Sequence, residues 1–257
     1  MKKLKIGIIG VGRLGYEHAC NIANRVPGSE LVAIADANFD RAKQVAEELG
    51  VTAVYNDPKD LCADPNVEAV AIITNTASHV EMIKIAMDAG KHVFCEKPLA
   101  DTVEKCKEAE AIIAAHPELT FMLGFMRRYD HSYQVAKKKM ENGDIGDVIL
   151  VRCYSQDPIS IIEGTLEYAP RSGGQFIDMS IHDFDLIRWL TGSEVKELWA
   201  TGGCYEFKQY KDWDDGDNVS GLMKMENDAM AFFFAGRAAA HGSHVETEIV
   251  GTRSTLR

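Results

Sequence analysis

Three groups of residues in this chain have types and spacings that could do chemistry. Asp178-Met179-Ser180-Ile181-His182 sets a carboxylate and an imidazole four residues apart, hence on one face of a helix. Such a pair suits proton removal, the histidine as base and the aspartate fixing its tautomer. Glu96-Lys97-Pro98 follows an apolar run and offers a cation to steady a developing alkoxide. Gly10-Val11-Gly12-Arg13-Leu14-Gly15 is a G-x-G-x-x-G turn, and Asp36 follows about twenty residues later. In that pattern the glycines allow a tight turn, close approach of backbone to a pyrophosphate, and close packing of the helix that follows. A carboxylate at Asp36 accepts hydrogen bonds from a ribose 2′-hydroxyl and repels a 2′-phosphate, so the motif predicts NAD rather than NADP. Arg41, the one nearby cation, is expected to face solvent from the first turn of the next helix.

Each group also has an ordinary explanation. Lys97 could be a surface lysine, Asp178 and His182 a helix-stabilising pair, and the glycines a simple turn. The last alternative leaves the placement of Asp36 unexplained.

The elements that must position these residues follow from hydrophobic periodicity. From Lys5 to Cys95, short β-type runs (Ile6 to Ile9, Leu31 to Ala35, Ala69 to Ile73, His92 to Cys95) alternate with helical ones (from Arg13, Asp40 to Leu49, Val80 to Ala89). A helix from Val103 to Ala115 and a strand from Thr120 to Gly124 follow. That alternation predicts βαβ units, hence a doubly wound α/β Rossmann domain over residues 1–123. Residues 124–257 read as an α+β domain with a largely antiparallel open sheet, for substrate binding and oligomerisation. Its strands are Val148 to Tyr154, Val195 to Ala200, Val219 to Met225, Met230 to Ala235 and Val245 to Val250, with a turn at Asn227-Asp228. One long helix is expected from after Gly174 to Leu190. The acidic stretch Asp212 to Asp217 reads most simply as a solvated loop, and Thr255-Leu256-Arg257 as the start of a returning strand, hence a truncated C-terminus.

Composition narrows the function. A formal charge of -11 opposes nucleic acid and anionic membrane surfaces. The basic start Met1-Lys2-Lys3 leads into an apolar run too short for a signal peptide, and no run is long enough to span a membrane. Six scattered cysteines, without C-x-x-C or zinc-ligand spacing, predict reduced thiols in a cytoplasmic protein and no metal site.

Taken together, these segments resemble the glucose-fructose oxidoreductase / inositol dehydrogenase (Gfo/Idh/MocA) family, from Lys5 to Arg257. The resemblance rests on Gly10 to Gly15, Thr74-Asn75-Thr76-Ala77-Ser78-His79, Ala89 to Leu99, Gly124 to Asp130, and Ser172-Gly173-Gly174 through Trp189. Phe125 to Asp130, Asp178 to Asp183 and His241 to Glu248 look most like the inositol dehydrogenases. The resemblance implies an NAD-dependent oxidoreductase acting on a secondary hydroxyl of a cyclic polyol, myo- or scyllo-inositol, and a homotetramer. It further implies that Lys97 bonds the reacting hydroxyl, His182 is the base, and Asp178 orients the imidazole and bonds a neighbouring hydroxyl. Arg127 and Asp157 would line the polyol pocket, and Thr74, Asn75, His79 and Glu96 would flank the cofactor. Asn75-Thr76 stands where relatives carry Thr-Pro or Ser-Pro, and Ser243 where some inositol enzymes carry an aromatic. A related sugar or aminosugar dehydrogenase, and a non-catalytic dinucleotide sensor, remain as alternatives.

Overall fold

Through Gly124, each short apolar run becomes a strand and each amphipathic run a helix. The computed structural model describes residues 2–257, and the chain divides into two units, one ending at Gly124 and the next beginning at Phe125. In the first unit β1 (Leu4–Ile9), α1 (Arg13–Asn24), β2 (Ser29–Ala35), α2 (Phe39–Leu49) and β3 (Ala53–Tyr55) are followed by α3 (Pro58–Ala63) and β4 (Ala69–Ile72). Then come α4 (His79–Asp88), β5 (His92–Cys95), α5 (Val103–Ala114) and β6 (Phe121–Leu123). The strands form one parallel sheet in the order β3-β2-β1-β4-β5-β6. The order reverses between β1 and β4, so the turn after β1 opens at the switch point where such sheets bind ligands.

A parallel sheet is covered on both faces, and alternation along β1 shows it. Ile8 packs with Ala19, Ile22, Val45 and Ala46 from α1 and α2, whereas Ile9 packs with Leu61, Val80, Ile83 and Met87 from α3 and α4. Each isoleucine, valine, leucine or methionine side chain among them, fully removed from water, would contribute roughly 1.5–3 kcal/mol. Two elements here have no counterpart in the expected list. The strand β3 is too short to show periodicity. The helix α3 begins with an Asp57 cap, whose side chain accepts from Lys59 N–H, and Pro58 at its first turn, a start signal that the sequence does carry.

The second unit holds α6 (His131–Glu141), β7 (Val148–Pro158), α7 (Ile162–Tyr168), α8 (Gln175–Asp178) and α9 (Ile181–Thr191). The strands β8 (Val195–Gly203), β9 (Asn218–Met225), β10 (Met230–Ala239), β11 (His244–Gly251) and β12 (Thr255–Leu256) complete it. The sheet order is β12-β11-β7-β10-β9-β8, antiparallel throughout except for the β7–β10 pair. One face packs on the helices through Val151, Cys153, Ala231, Phe233 and Ala235 against Leu186, Ile187 and Leu190. The turn at Asn227-Asp228 joins β9 to β10 as expected, with Asp228 at φ 64°.

Two expectations are corrected in this unit. The single helix to Leu190 is broken at Met179-Ser180: the Ser180 N–H bonds back to Gln175 O at 3.0 Å, one residue too far for an α-helix, and the Asp183 N–H then bonds Ser180 O at 2.9 Å. A wide turn of this kind inserts a residue into the helical ladder, and serine is a weak helix former that tolerates the break. The acidic stretch is a solvated loop only in part: Asp212 and Asp214 are exposed, but Asp215 and Asp217 are engaged by the fold. The buried Asp217 carboxylate accepts from the backbone N–H groups of Tyr205, Glu206 and Phe207, and Asp215 accepts from Gln175 N–H at the start of α8.

Candidate active site

In the first unit the chemistry gathers around the turn after β1. Gly10 has φ 91°, and a Cβ there would lie 2.6 Å from Ile73 O; at Gly15 a Cβ would meet Gly10 O at 2.0 Å, so the turn and helix α1 close on each other only without side chains. Above Gly12 the space is open. Gly12 offers no side-chain cap and α1 has no acidic residue in its first turn, so the helix presents bare N–H groups and its positive dipole end, beginning at Arg13 and Leu14. A cleft of ≈ 400 Å³ is lined by Gly10, Gly12, Asp36, Thr74 and Asn75.

Asp36 closes the end of β2 over this cleft. Its carboxylate accepts from Val11 N–H at 2.7 Å and from Asn38 N–H at 2.8 Å, and a carboxylate has about four acceptor sites, enough for ribose hydroxyls as well. The donors of the turn and the acceptor at Asp36 thus fit a dinucleotide's pyrophosphate and ribose. Arg41 does not point into solvent as expected. Its Nε donates to Val11 O at 3.2 Å and its guanidinium lies 5.1 Å from the centre of the Tyr16 ring, a cation–π contact that the turn makes available. Pro58, Ser78 and Met82 also line the cleft. Sequence reasoning passes over them because they are ordinary cap, turn and core residues.

Two residues expected beside the cofactor are occupied within the unit. His79 is buried, its Nδ1 2.8 Å from Pro98 O and its Nε2 3.3 Å from Thr74 O; burial holds its pKa below the ordinary histidine value, and these contacts oppose that only in part. It therefore supports the cleft from beneath, linking the Thr74 turn to the turn that follows Lys97. Glu96 bonds His18 Nε2 at 2.9 Å and accepts from Lys97 N–H at 3.0 Å, which ties the Lys97 turn to α1. A Cβ at Gly124 would come within 3.2 Å of that carboxylate, so glycine there leaves it room.

In the second unit Asp178 ends α8 and His182 lies in the first turn of α9. The wide turn between them means that their spacing is not the regular one-turn step of a continuous helix. The Phe125 ring meets His182 edge-on at 80°, centroids 6.4 Å apart. Arg127, expected in the polyol pocket, has its guanidinium engaged within the unit. It is buried, donating to Asp183 at 2.6 Å and to Ser155 Oγ at 2.9 Å, while Ser155 itself donates to Asp183 at 2.7 Å. Burial pushes the Asp183 carboxyl above its ordinary range, against the pull of Arg127 and Ser155. With the bidentate Arg128–Asp185 bridge at 2.7 and 2.8 Å, this pair clamps residues 126–129 onto the helix that carries His182.

The residue that the sequence reading missed is Arg237. Only 4% exposed, it donates through Nη2 to Asp178 at 2.7 Å and through Nε to Gln175 Oε1 at 3.2 Å, and its Nη1 lies 3.7 Å from Asp157. Two of the expected substrate carboxylates thus meet on one cation. The available signal was a lone arginine closing the apolar strand Phe232-Phe233-Phe234-Ala235-Gly236-Arg237, since a cation on a buried strand needs partners. Among the described residues no cluster of three metal-ligating side chains occurs, and no helix is long and apolar enough to cross a membrane.

Comparison with known proteins finds matches to both units. Residues 4–125 match the model of an oxidoreductase family with an NAD-binding Rossmann fold, and residues 133–257 match the GFO/IDH/MocA C-terminal domain. The chain is 34% identical over 256 residues to the scyllo-inositol 2-dehydrogenase (NAD(+)) of Bacillus subtilis, covering 99% of this chain and 73% of that protein. It is 35% identical over 260 residues to the myo-inositol 2-dehydrogenase of Thermotoga maritima, covering 98% and 74%. The crystal structure of scyllo-inositol dehydrogenase from Lactobacillus casei with bound NAD(H) and scyllo-inositol superposes with a TM-score of 0.94 at 42% identity, over 99% of this chain and 76% of that one.

Proposed function

This chain belongs to the GFO/IDH/MocA oxidoreductase family, and on that premise we propose that it oxidises a secondary hydroxyl of a ring polyol, myo- or scyllo-inositol, to the ketone with NAD. The observation that carries this reading is the structural match, over nearly the whole chain, to a scyllo-inositol dehydrogenase that holds NAD(H) and its polyol. Gly10, Gly12, Arg13, Leu14 and Gly15 would hold the pyrophosphate, and Asp36 the adenosine ribose. Thr74 and Asn75 would border the rest. When bound, NAD supplies a nicotinamide ring that accepts a hydride from the carbon being oxidised.

The protein's own groups manage the proton and the developing charge. His182, nearest to neutrality in its ordinary pKa, takes the hydroxyl proton, and Lys97 donates a hydrogen bond to the oxygen as it gains negative charge. Asp178 orients the imidazole and, with Asp157, accepts hydrogen bonds from neighbouring hydroxyls. Arg127 serves through its bond to Asp183, holding α9 beside the pocket it is expected to line. The acceptor-rich second unit supports a polyhydroxylated substrate over a simple alcohol.

Localisation and assembly extend this reading. A cytoplasmic enzyme is consistent with six free cysteines and the absence, among the described residues, of a membrane-crossing helix. The outer face of the second sheet exposes Trp199, Leu222 and Met230, a surface suited to covering by another copy, and a homotetramer is the assembly we propose. The activity is tested by following NADH formation with a panel of inositols, aldoses and aminosugars. Turnover with myo- or scyllo-inositol is expected; turnover confined to aldoses or aminosugars would reassign the substrate, and no turnover with any would favour a dinucleotide sensor.

A further inference from the structure

We propose that Arg237 is a positioning residue that sets polyol recognition by holding the Asp178 and Asp157 carboxylates in fixed relative places, an inference that rests on the function proposed above. The local backbone explains how an arginine comes to lie there. Up to Gly236, β10 pairs with β7 residue for residue, Gly236 opposite Gln156; the next pair is Ala239 with Pro158, so β10 carries one extra residue at Arg237-Ala238. A bulge of this kind re-aims a side chain. The Arg237 N–H bonds Asp217 O at 2.9 Å, and Asp217 is itself held by three backbone N–H groups, so the bulge is anchored from the β8–β9 connection.

The guanidinium then reaches three side chains on two elements. Asp178 and Gln175 come from α8, and Asp157 from the end of β7. Arginine is almost wholly buried, whereas the Asp178 and Asp157 side chains are 15% and 35% exposed, so the cation lies beneath and the two carboxylates lie toward solvent. A planar fork with five N–H donors fixes the direction of Asp178 and Gln175 through hydrogen bonds while its charge draws Asp157 to within 3.7 Å, a combination that a lysine ammonium does not reproduce. Hydroxyl groups around a ring differ between isomers only in direction. Acceptors held at a set spacing therefore discriminate among them, and loosened acceptors do not.

Arg237→Lys keeps the charge and loses the fork; Arg237→Met removes both. With saturating NAD, KM and kcat are measured for myo- and scyllo-inositol, together with NADH affinity from fluorescence titration. Arg237→Lys is expected to raise the polyol KM about tenfold or more, the worth of a charge-assisted hydrogen bond. It should also bring the two isomers' kcat/KM values closer together and leave NADH affinity unchanged. Arg237→Met should do the same more severely, and if it fails to fold the lysine variant decides alone. A purely structural arginine would lower kcat for both isomers equally, with KM and the isomer ratio as in the parent protein; that result, or no change at all, overturns the inference while the proposed function stands. A parent protein without turnover on either inositol defeats the proposed function first, and this inference with it.

Discussion

The Val11 N–H donates to the Asp36 carboxylate at 2.7 Å, so the acceptor expected to meet the ribose also fixes the glycine turn. Asp36→Ser should therefore act twice, removing a ribose acceptor and freeing the turn. The loss of a charged hydrogen bond is worth about 1.5–3 kcal/mol, so KM for NAD should rise about tenfold or more. Removing the charge that repels a 2′-phosphate should also narrow the NAD/NADP preference. Steady-state kinetics with both cofactors checks this, and an unchanged cofactor ratio would remove Asp36 from the account.

Arg127 and Asp183 form a buried pair 2.6 Å apart. Arg127→Met would leave a carboxylate buried without its cation, which costs about 3–5 kcal/mol. Denaturant unfolding of the variant should show that loss, and Arg127→Met/Asp183→Asn should recover part of it because no charge is then stranded. A single variant as stable as the parent would show that the pair contributes nothing to holding α9.

The Asp217 carboxyl lies below the ordinary carboxylate range: burial opposes its charge, but the N–H groups of Tyr205, Phe207 and Glu206 and the Asn218 amide outweigh burial. A depressed folded pKa contributes stability that is present above the unfolded value, about 3.9, and is lost as pH falls through the folded value. Asp217→Asn should lower Tm at neutral pH, by the equivalent of about 1–3 kcal/mol. The gap between variant and parent should shrink as the pH is taken below about 4. Parallel Tm curves across that range would contradict the assignment.

Much of this arrangement is legible in the residues alone, for physical reasons. The strand-helix alternation through Cys95 has strong periodicity, and the glycine turn with Asp36 has a spacing that only a βαβ context makes sense of. What the residues do not reveal is which polar groups find each other across long stretches of chain. The bonds of Arg127 to Asp183 and Ser155, respectively 56 and 28 residues away, are an example. Arg237 shows in the sequence only as a lone cation on an apolar strand, and its partners emerge where the bulge in β10 brings it to Asp157 and Asp178. The break at Ser180 was likewise hidden, because Gln175 to Leu190 has helical periodicity throughout and a single wide turn leaves that pattern almost intact.

Substrate selection follows from the same acceptors. A site that bonds several hydroxyls leaves polar groups unpaired when a ligand lacks them, a penalty of about 10⁴–10⁵ in kcat/KM in sites of this kind. Ethanol should therefore be turned over far more slowly than myo- or scyllo-inositol. Comparable kcat/KM for ethanol and an inositol would be incompatible with this reading.

The most direct measurement is kcat for inositol oxidation against pH, with NAD saturating, in the parent protein and in His182→Ala. The parent's rate should rise with pH as the imidazole loses its proton. His182→Ala should lower kcat by about 10²- to 10⁴-fold, the usual worth of a positioned base, with NADH affinity unchanged. A His182→Ala protein with the parent's kcat and an unaltered pH profile would show that the base lies elsewhere.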